Sequence, residues 1–298
     1  MSRAIIAAAV LALAGCEVNL NSEGIVSRET KRFTVSGTPE VQLDTFDGSI
    51  DVHSWDRNEV EIEIEKRAME QALVDDMKVT AEQDGNRIVV KVSAPRSSDR
   101  DRGVQIGVHF SPTARLRVAL PRNAQLTASS EDGSLVVEDV TGKVTLRTAD
   151  GSIRASRLSG EIFIRSGDGA IRLDRAEGKL DIETGDGSIT LEAKPTALRA
   201  RTEDGSIRFD IDGGSVMSDD WDLQTGDGSI VLTLPGEFNA VLDAETRDGS
   251  VRANHPALRD EKREGEDREE RRRTLKATLG SGGKTLRVRT GDGSIRIE

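Results

Sequence analysis

The chain has 298 residues, a formal net charge of −11, 35% hydrophobic, 32% charged and 3% aromatic residues. That length allows one large or two modest domains with a sizeable core. The acidic balance argues against a general nucleic-acid binder, which needs a basic footprint, and the few aromatics argue against a long carbohydrate-stacking platform.

Residues 1–15 read as a sorting signal. Arg3 supplies a basic start, residues 5–13 form an apolar run, and Leu13-Ala14-Gly15-Cys16 follows. The run is too short to span a bilayer, which takes about 20 apolar residues, and small residues before a cut site are the mark of a secretory signal. Leu-Ala-Gly-Cys resembles the lipobox of bacterial lipoproteins. The resemblance implies a diacylglyceryl group on the Cys16 thiol, with palmitate-type acylation of the freed amine. Two or three chains anchor firmly, since each buried methylene contributes about 0.8 kcal/mol. Glu17 rather than Asp follows the cysteine, which leans toward the outer membrane. Cys16 is the sole cysteine, so once lipidated it leaves no thiol for disulfides or a cysteine zinc site.

Residues 16–27 are expected to be a polar tether, and residues 28–129 a less regular β region. Within the latter, residues 47–65 resemble one coil of the repeat described below, and residues 68–77 a short helix or loop. A hairpin turns at Asp84-Gly85-Asn86 between residues 78–83 and 87–93. Residues 96–102 form a charged loop, and residues 104–110, 116–120 and 125–127 are further strands.

Residues 130–298 carry an internal repeat, whose motif also occurs once earlier, at Asp47. The pattern [Thr/Ser]-x-Asp-Gly-[Ser/Ala]-[Ile/Leu/Val] occurs nine times, at Asp47, Asp132, Asp150, Asp168, Asp186, Asp204, Asp227, Asp248 and Asp292. From Asp132 to Asp204 every gap is 18 residues; the next are 23, 21 and 44. Within a unit, Ile153 and Ala155, then Ile162 and Ile164, alternate with polar residues, which is the period of strands with one buried face. A unit of two short strands cannot bury that face alone and must stack on its neighbours. The expected fold is therefore all-β: a β-solenoid or β-roll of stacked coils of about 18 residues and two strands, with neighbouring coils about 4.8 Å apart. A β-sandwich is the alternative, disfavoured by the constant period. Gly at the Asp-Gly turn is expected to supply positive φ, and the Thr or Ser two residues before each Asp to form a column of hydroxyls. Regular coils are expected to run from Asp132 to about Asp248. The charged insertion at residues 255–273 is expected to be a solvated loop rather than a helix, and residues 274–298 return to strands.

Asp47-Gly48-Ser49-Ile50-Asp51-Val52, Ser54-Trp55-Asp56, Leu120-Pro121-Arg122, the repeats, and the closing Arg289-Thr290-Gly291-Asp292-Gly293-Ser294-Ile295 together resemble the bacterial putative-adhesin family. The resemblance covers nearly the whole mature chain. It implies a solenoid-like β fold at the cell envelope, with adhesion as one function. The insertion at 255–273 departs from the regular pattern.

Stacked coils would place Asp132, Asp150, Asp168, Asp186 and Asp204 in a column of like charges. Repulsion at that spacing is about 1 kcal/mol per pair even in water. Calcium between coils would relieve it, and those five aspartates are the weak candidates. The Gly-Gly-x-Gly-x-Asp signature of calcium β-rolls is missing, however, so no metal or cofactor is expected beyond the lipid. Turn amides bonding the carboxylates, or flanking arginines, would relieve it equally. Arg147, Arg165 and Arg201 stand three residues before a motif Asp, and Arg154, Arg172 and Arg208 four after. These six form an outward strip that neutralises the aspartates or docks an anionic partner such as an acidic polysaccharide or lipid headgroups. His53, His109 and His255 are scattered. Phe163, Trp55 and Trp221 are candidate sugar-stacking groups. No phosphate loop, His-Glu-x-x-His or nucleophile elbow occurs, so no catalytic residue is assigned. The favoured function is a non-enzymatic envelope lipoprotein acting as a rigid, adhesin-like scaffold. The alternatives are a periplasmic partner of an envelope regulatory or stress system, with the insertion as contact, and a polysaccharide-acting enzyme.

Overall fold

The computed structural model describes residues 19–21, 24–95, 111–262, 264–265, 267–268 and 270–298. Cys16, His109, the loop expected at 96–102 and the strand expected at 104–110 lie outside the described residues. The chain is nearly all strand, as the period-two alternation requires, and its strands form two long parallel ladders.

The motif ladder holds the strands that follow the Asp-Gly corner. Leu135–Glu138, Ile153–Ser156, Ile171–Thr184, Ile189–Thr202 and Ile207–Ile211 pair in parallel, with Ile153 opposite Ile171, Ile171 opposite Ile189 and Ile189 opposite Ile207. The second ladder holds the strands that precede the corner, among them Thr141–Thr148 and Ser159–Ser166, where Ile162 stands opposite Leu180 and Leu180 opposite Leu198. Both ladders therefore step by the sequence period. Inward side chains of both meet in one continuous core that runs from Phe33 to Ile297 and includes residues from both sides of position 130. A coil such as 153–170 contributes Ile153, Ala155, Leu158, Ile162 and Ile164 to it. That is too little burial to offset the entropy of ordering the coil by itself, so each coil depends on its neighbours.

The corner chemistry differs from the expectation. In the regular coils the motif glycines are absent from the positive-φ residues; only Gly48 and Gly249, at φ 130° and 144°, adopt that region. Gly is required there for close stacking: a Cβ built on Gly169 would fall on the carbonyl oxygen of Gly151, and one on Gly187 on that of Gly169. Positive φ belongs to the opposite corner, where Asp139, Arg157 and Arg175 (φ 62°, 54° and 54°) stack above one another. There Arg157 donates from Nε and from a terminal nitrogen to the two carboxylate oxygens of Asp139, both at 2.8 Å.

The hydroxyl column is bonded to backbone. Ser166 Oγ accepts from the Gly169 N–H at 3.1 Å and donates to the Gly151 carbonyl of the preceding coil at 3.1 Å. Thr202 repeats this with Gly205 and Gly187, at 3.1 and 2.9 Å. These hydroxyls are buried, so each bond satisfies groups that water cannot reach.

Coil order departs from chain order at the C-terminal end. Strand Ile230–Thr233 pairs with Ile295–Ile297, which pairs in turn with Val251–Ala253. On the second ladder Trp221–Thr225 pairs with Thr285–Thr290, and that with Ala240–Thr246. The Asp292 coil is thus inserted between those of Asp227 and Asp248, so regular stacking in chain order ends at Asp227. Trp221 occupies the register of Leu198 and Leu286 and is fully buried beside Phe209 and Phe238, with ring centroids 6.0 and 5.5 Å away. The wider aromatic layer coincides with the broken period.

Both ends are closed by antiparallel strands. Ile50–Trp55 belongs to the motif ladder, but Glu59–Ala68 folds back antiparallel on Thr113–Pro121 and carries Gly24–Thr34 on its far side. Residues 47–65 are therefore not one coil, and the tether expected to end at 27 is replaced by a strand from Gly24. Between these, Gln71–Asp76 is helical, and the Asp84-Gly85-Asn86 hairpin joins Lys78–Asp84 to Arg87–Ser93. At the other end, the insertion expected as a loop contains strand Leu258–Lys262, antiparallel to Thr274–Leu279, and helix Glu270–Arg273. Leu258 packs against the core, which gives a charged segment one anchored face; charges on an edge strand also discourage further pairing.

Candidate functional site

Strands of a parallel ladder repeat their outward side chains as columns, so the surface is a lattice. The column that contains the motif aspartates is exposed from Asp132 through Asp292. Its inner end shows the expected repulsion: burial first, then the neighbouring Asp132 carboxylate, raises the pKa of Asp47 above the ordinary carboxylate range. Among the described residues no turn amide is bonded to a motif carboxylate in the regular coils. The Gly151 N–H bonds Thr148 Oγ1 and the Asp150 N–H bonds the Glu131 carbonyl. Among the described residues no cluster of three or more His, Cys, Asp or Glu side chains could hold a metal.

The six expected arginines all face outward but divide into two groups. Arg165 pairs with Asp181 at 3.0 Å and Glu183 at 3.1 Å, Arg201 with Asp222 at 2.6 Å, and Arg172 with Asp174 at 3.0 Å. None of these partners is a motif aspartate, so the three arginines tie neighbouring columns rather than neutralising the aspartate column. Arg147, Arg154 and Arg208 are exposed and have no ion-pair partner among the described residues.

The two ladders differ in how charge alternates. On the second ladder one column reads Asp181, Arg199, Asp222, Arg287, Asp243, Lys276. Each basic residue there has acidic neighbours, and Arg289 spans Asp243 and Glu245 at 2.7 and 3.4 Å. On the motif ladder the column that runs from Asp51 through Val136 continues as Arg154, Arg172, Thr190, Arg208, Val231, Arg296, Arg252. From Val136 onward it contains no acid, and Arg296 and Arg252 stand side by side at its end. Arg252 and Arg296 follow their motif aspartates by four residues, so the rule that singles out Arg154, Arg172 and Arg208 also finds them.

At that end the surface becomes concave. Asp248, Gly249, Ser250, Arg252, Arg272 and Arg273 line a cleft of about 560 Å³. A contiguous cleft of about 240 Å³ shares Ser250 and Arg252 and adds Ser229, Ser294 and Arg296. Arg273 reaches Asp248 at 3.8 Å and Arg296 reaches Glu298 at 3.6 Å, while Arg252 and Arg272 have no partner among the described residues. Helix Glu270–Arg273, part of the insertion, supplies the cations that the ladder alone lacks.

The remaining sequence candidates line neither cleft. His53 is exposed on the motif ladder between Ala119 and Glu138. His255 is buried; its Nδ1 accepts the Ala257 N–H at 3.2 Å, so Nε2 carries the hydrogen donated to the Pro235 carbonyl at 3.2 Å. Trp221 lies in the core, where no sugar can reach it. Trp55 donates from Nε1 to the Glu59 carbonyl at 2.7 Å and carries Arg57 4.6 Å from its ring centroid. Phe163 has Lys143 at 5.7 Å from its ring.

These ladders define an all-β repeat protein with a lattice-like surface. Residues 40–298 match the Toastrack DUF4097 family, and the chain belongs to it. No curated protein sequence matches. Crystal structures with similarity include a putative adhesin from Parabacteroides distasonis (12% identity, 91% of this chain and 97% of that one, TM-score 0.41). Others are a putative adhesin from Parabacteroides merdae (12% identity, 91% and 96%, TM-score 0.38) and a putative lipid binding protein from Parabacteroides distasonis (12% identity, 91% and 96%, TM-score 0.35). At these TM-scores the likenesses carry no argument about function.

Proposed function

We propose that the protein is a non-enzymatic lipoprotein of the bacterial cell envelope, anchored through lipid on Cys16, whose stacked coils form a β-solenoid that acts as a rigid, adhesin-like interaction surface. The observation that carries this reading is the outward lattice. Side chains repeat in register about 4.8 Å apart, and many weak contacts to a repetitive partner add by multivalency. In the acid-free stretch from Arg154 to Arg252, Arg154, Arg208 and Arg252 have no ion-pair partner among the described residues, which favours an anionic partner over a basic one.

Protease shaving of intact cells, with lysed cells as control, tests the reading. Loss of the protein from intact cells supports a surface adhesin on the outer membrane. Protection until lysis contradicts it and favours a periplasmic partner of an envelope regulatory or stress system. Labelling with a clickable palmitate analogue, lost in Cys16→Ser, tests the anchor separately.

A further inference from the structure

The paired clefts at the C-terminal end of the motif ladder bring together four arginines from separate segments; Arg252 and Arg272 have no ion-pair partner among the described residues, while Arg273 and Arg296 reach Asp248 and Glu298. Arg252 comes from strand Val251–Ala253, Arg296 from strand Ile295–Ile297, and Arg272 and Arg273 from the helix of the insertion. Ser229, Ser294 and Ser250 stand in one row across three neighbouring strands, immediately before Ile230, Ile295 and Val251 of the paired register. Guanidinium forks present paired donors that match tetrahedral oxyanions, and hydroxyls add donors between them.

From this geometry we infer that the clefts are a binding site for a polysaccharide bearing sulfate or phosphate groups. The inference rests on the interaction-surface reading above and names its partner class. The net charge of −11 does not oppose it, because charges beyond about 8 Å are screened at physiological ionic strength. A polymer fits better than a single ion, since the donors extend over three coils and two contiguous clefts. A membrane surface fits less well: among the described residues the exposed large hydrophobics are Met69, Val216 and Val241, and none lines either cleft. A single-stranded nucleic acid fits less well too, because no aromatic lines the clefts to stack on its bases. Recognition runs through the anionic groups rather than the sugar rings.

The test is calorimetric titration of the full chain, carrying Cys16→Ser so that acyl chains contribute nothing, with a dextran sulfate oligosaccharide. Neutral dextran, single-stranded DNA and phosphatidylglycerol vesicles are the comparison arms. Dextran sulfate is expected to bind in a salt-sensitive manner and neutral dextran not at all. Arg252→Ala with Arg272→Ala weakens binding about tenfold or more. These side chains are exposed and have no ion-pair partner among the described residues, so the variant folds normally. Lys78→Ala with Lys91→Ala leaves binding within about twofold, because these exposed lysines lie on the hairpin strands beside Glu40–Thr45, at the opposite end of the ladders from Arg252. Absence of dextran sulfate binding overturns the inference. So do equal losses in the two double variants, or tighter binding to DNA or vesicles. Those results leave the shaving experiment untouched, so failure here and failure of the envelope reading are separable.

Discussion

The coils between Asp132 and Asp204 and the end that follows Asp204 are built from the same motif but solve different problems. In the middle, every coil stacks on its predecessor, Ile on Ile, with the motif glycine touching the carbonyl of the coil below. Beyond Asp204 the period lengthens, a tryptophan replaces an aliphatic core residue, and the last coil enters between two earlier ones. A repeat of identical corners specifies how coils stack but not which coil is the neighbour. Choice of neighbour falls to irregular features: the wide layer around Trp221, and the strand Thr274–Leu279 that pairs antiparallel with Ala240–Thr246 and closes the end.

The sharpest way to break this comparison is to remove residues 285–298. Leu286, Val288, Ile295 and Ile297 are fully buried and contribute about 1.5–3 kcal/mol each. The sum is comparable to the net stability of a typical domain, about 5–15 kcal/mol. The C-terminal end is expected to unfold, read as a red shift of Trp221 fluorescence in a Trp55→Phe background. A retained blue emission would show that the inserted coil is dispensable. Trp221→Ala comes next, with an expected loss of about 3–5 kcal/mol in denaturant unfolding. In the middle, Gly169→Ala should cost about 1–3 kcal/mol or more, because the added carbon meets backbone that cannot yield. Gly236→Ala, with nothing within 4 Å, should stay within about 0.5 kcal/mol. Equal effects would refute the close-stacking role.

The smallest effect is at Asp47. Its pKa is raised by burial and then by Asp132, so ionisation costs stability in the folded state. Stability is therefore lost as pH rises through the folded pKa and recovered as pH falls. Asp47→Asn should raise the melting temperature at pH 7, and the gain should vanish below the ordinary carboxylate range. A lower melting temperature at pH 7 would mean the carboxylate is stabilising, as a bound cation would make it.

Much of the fold was legible because burial has a period. Ile153, Ile171, Ile189 and Ile207 mark the ladder in the sequence as plainly as in the structure. The role of the motif glycine was not, since a Gly needed for positive φ and a Gly needed for contact look alike in one chain. Strand Leu258–Lys262 was hidden because an edge strand with charged faces lacks alternation. The insertion of the Asp292 coil could not be read, as gaps of 21 and 44 residues set no spatial order. At the surface, the outward arginines were found by their spacing, but the carboxylate partners of Arg165 and Arg201 lie one coil away in register. Arg272 and Arg273 carry no motif at all; only folding of the insertion brings them to Arg252.

Coil order is the central structural claim, and pairwise disulfide formation measures it. In a Cys16→Ser background, Ser229→Cys with Ser294→Cys places thiols on adjacent strands about 4.8 Å apart, inside the 4.4–6.8 Å Cα window for a disulfide. Ser229→Cys with Ser250→Cys places them two strands apart, about 10 Å, beyond that window. Oxidation is predicted to cross-link the first pair and leave the second reduced. A disulfide between positions 229 and 250, with none between 229 and 294, would contradict the inserted coil.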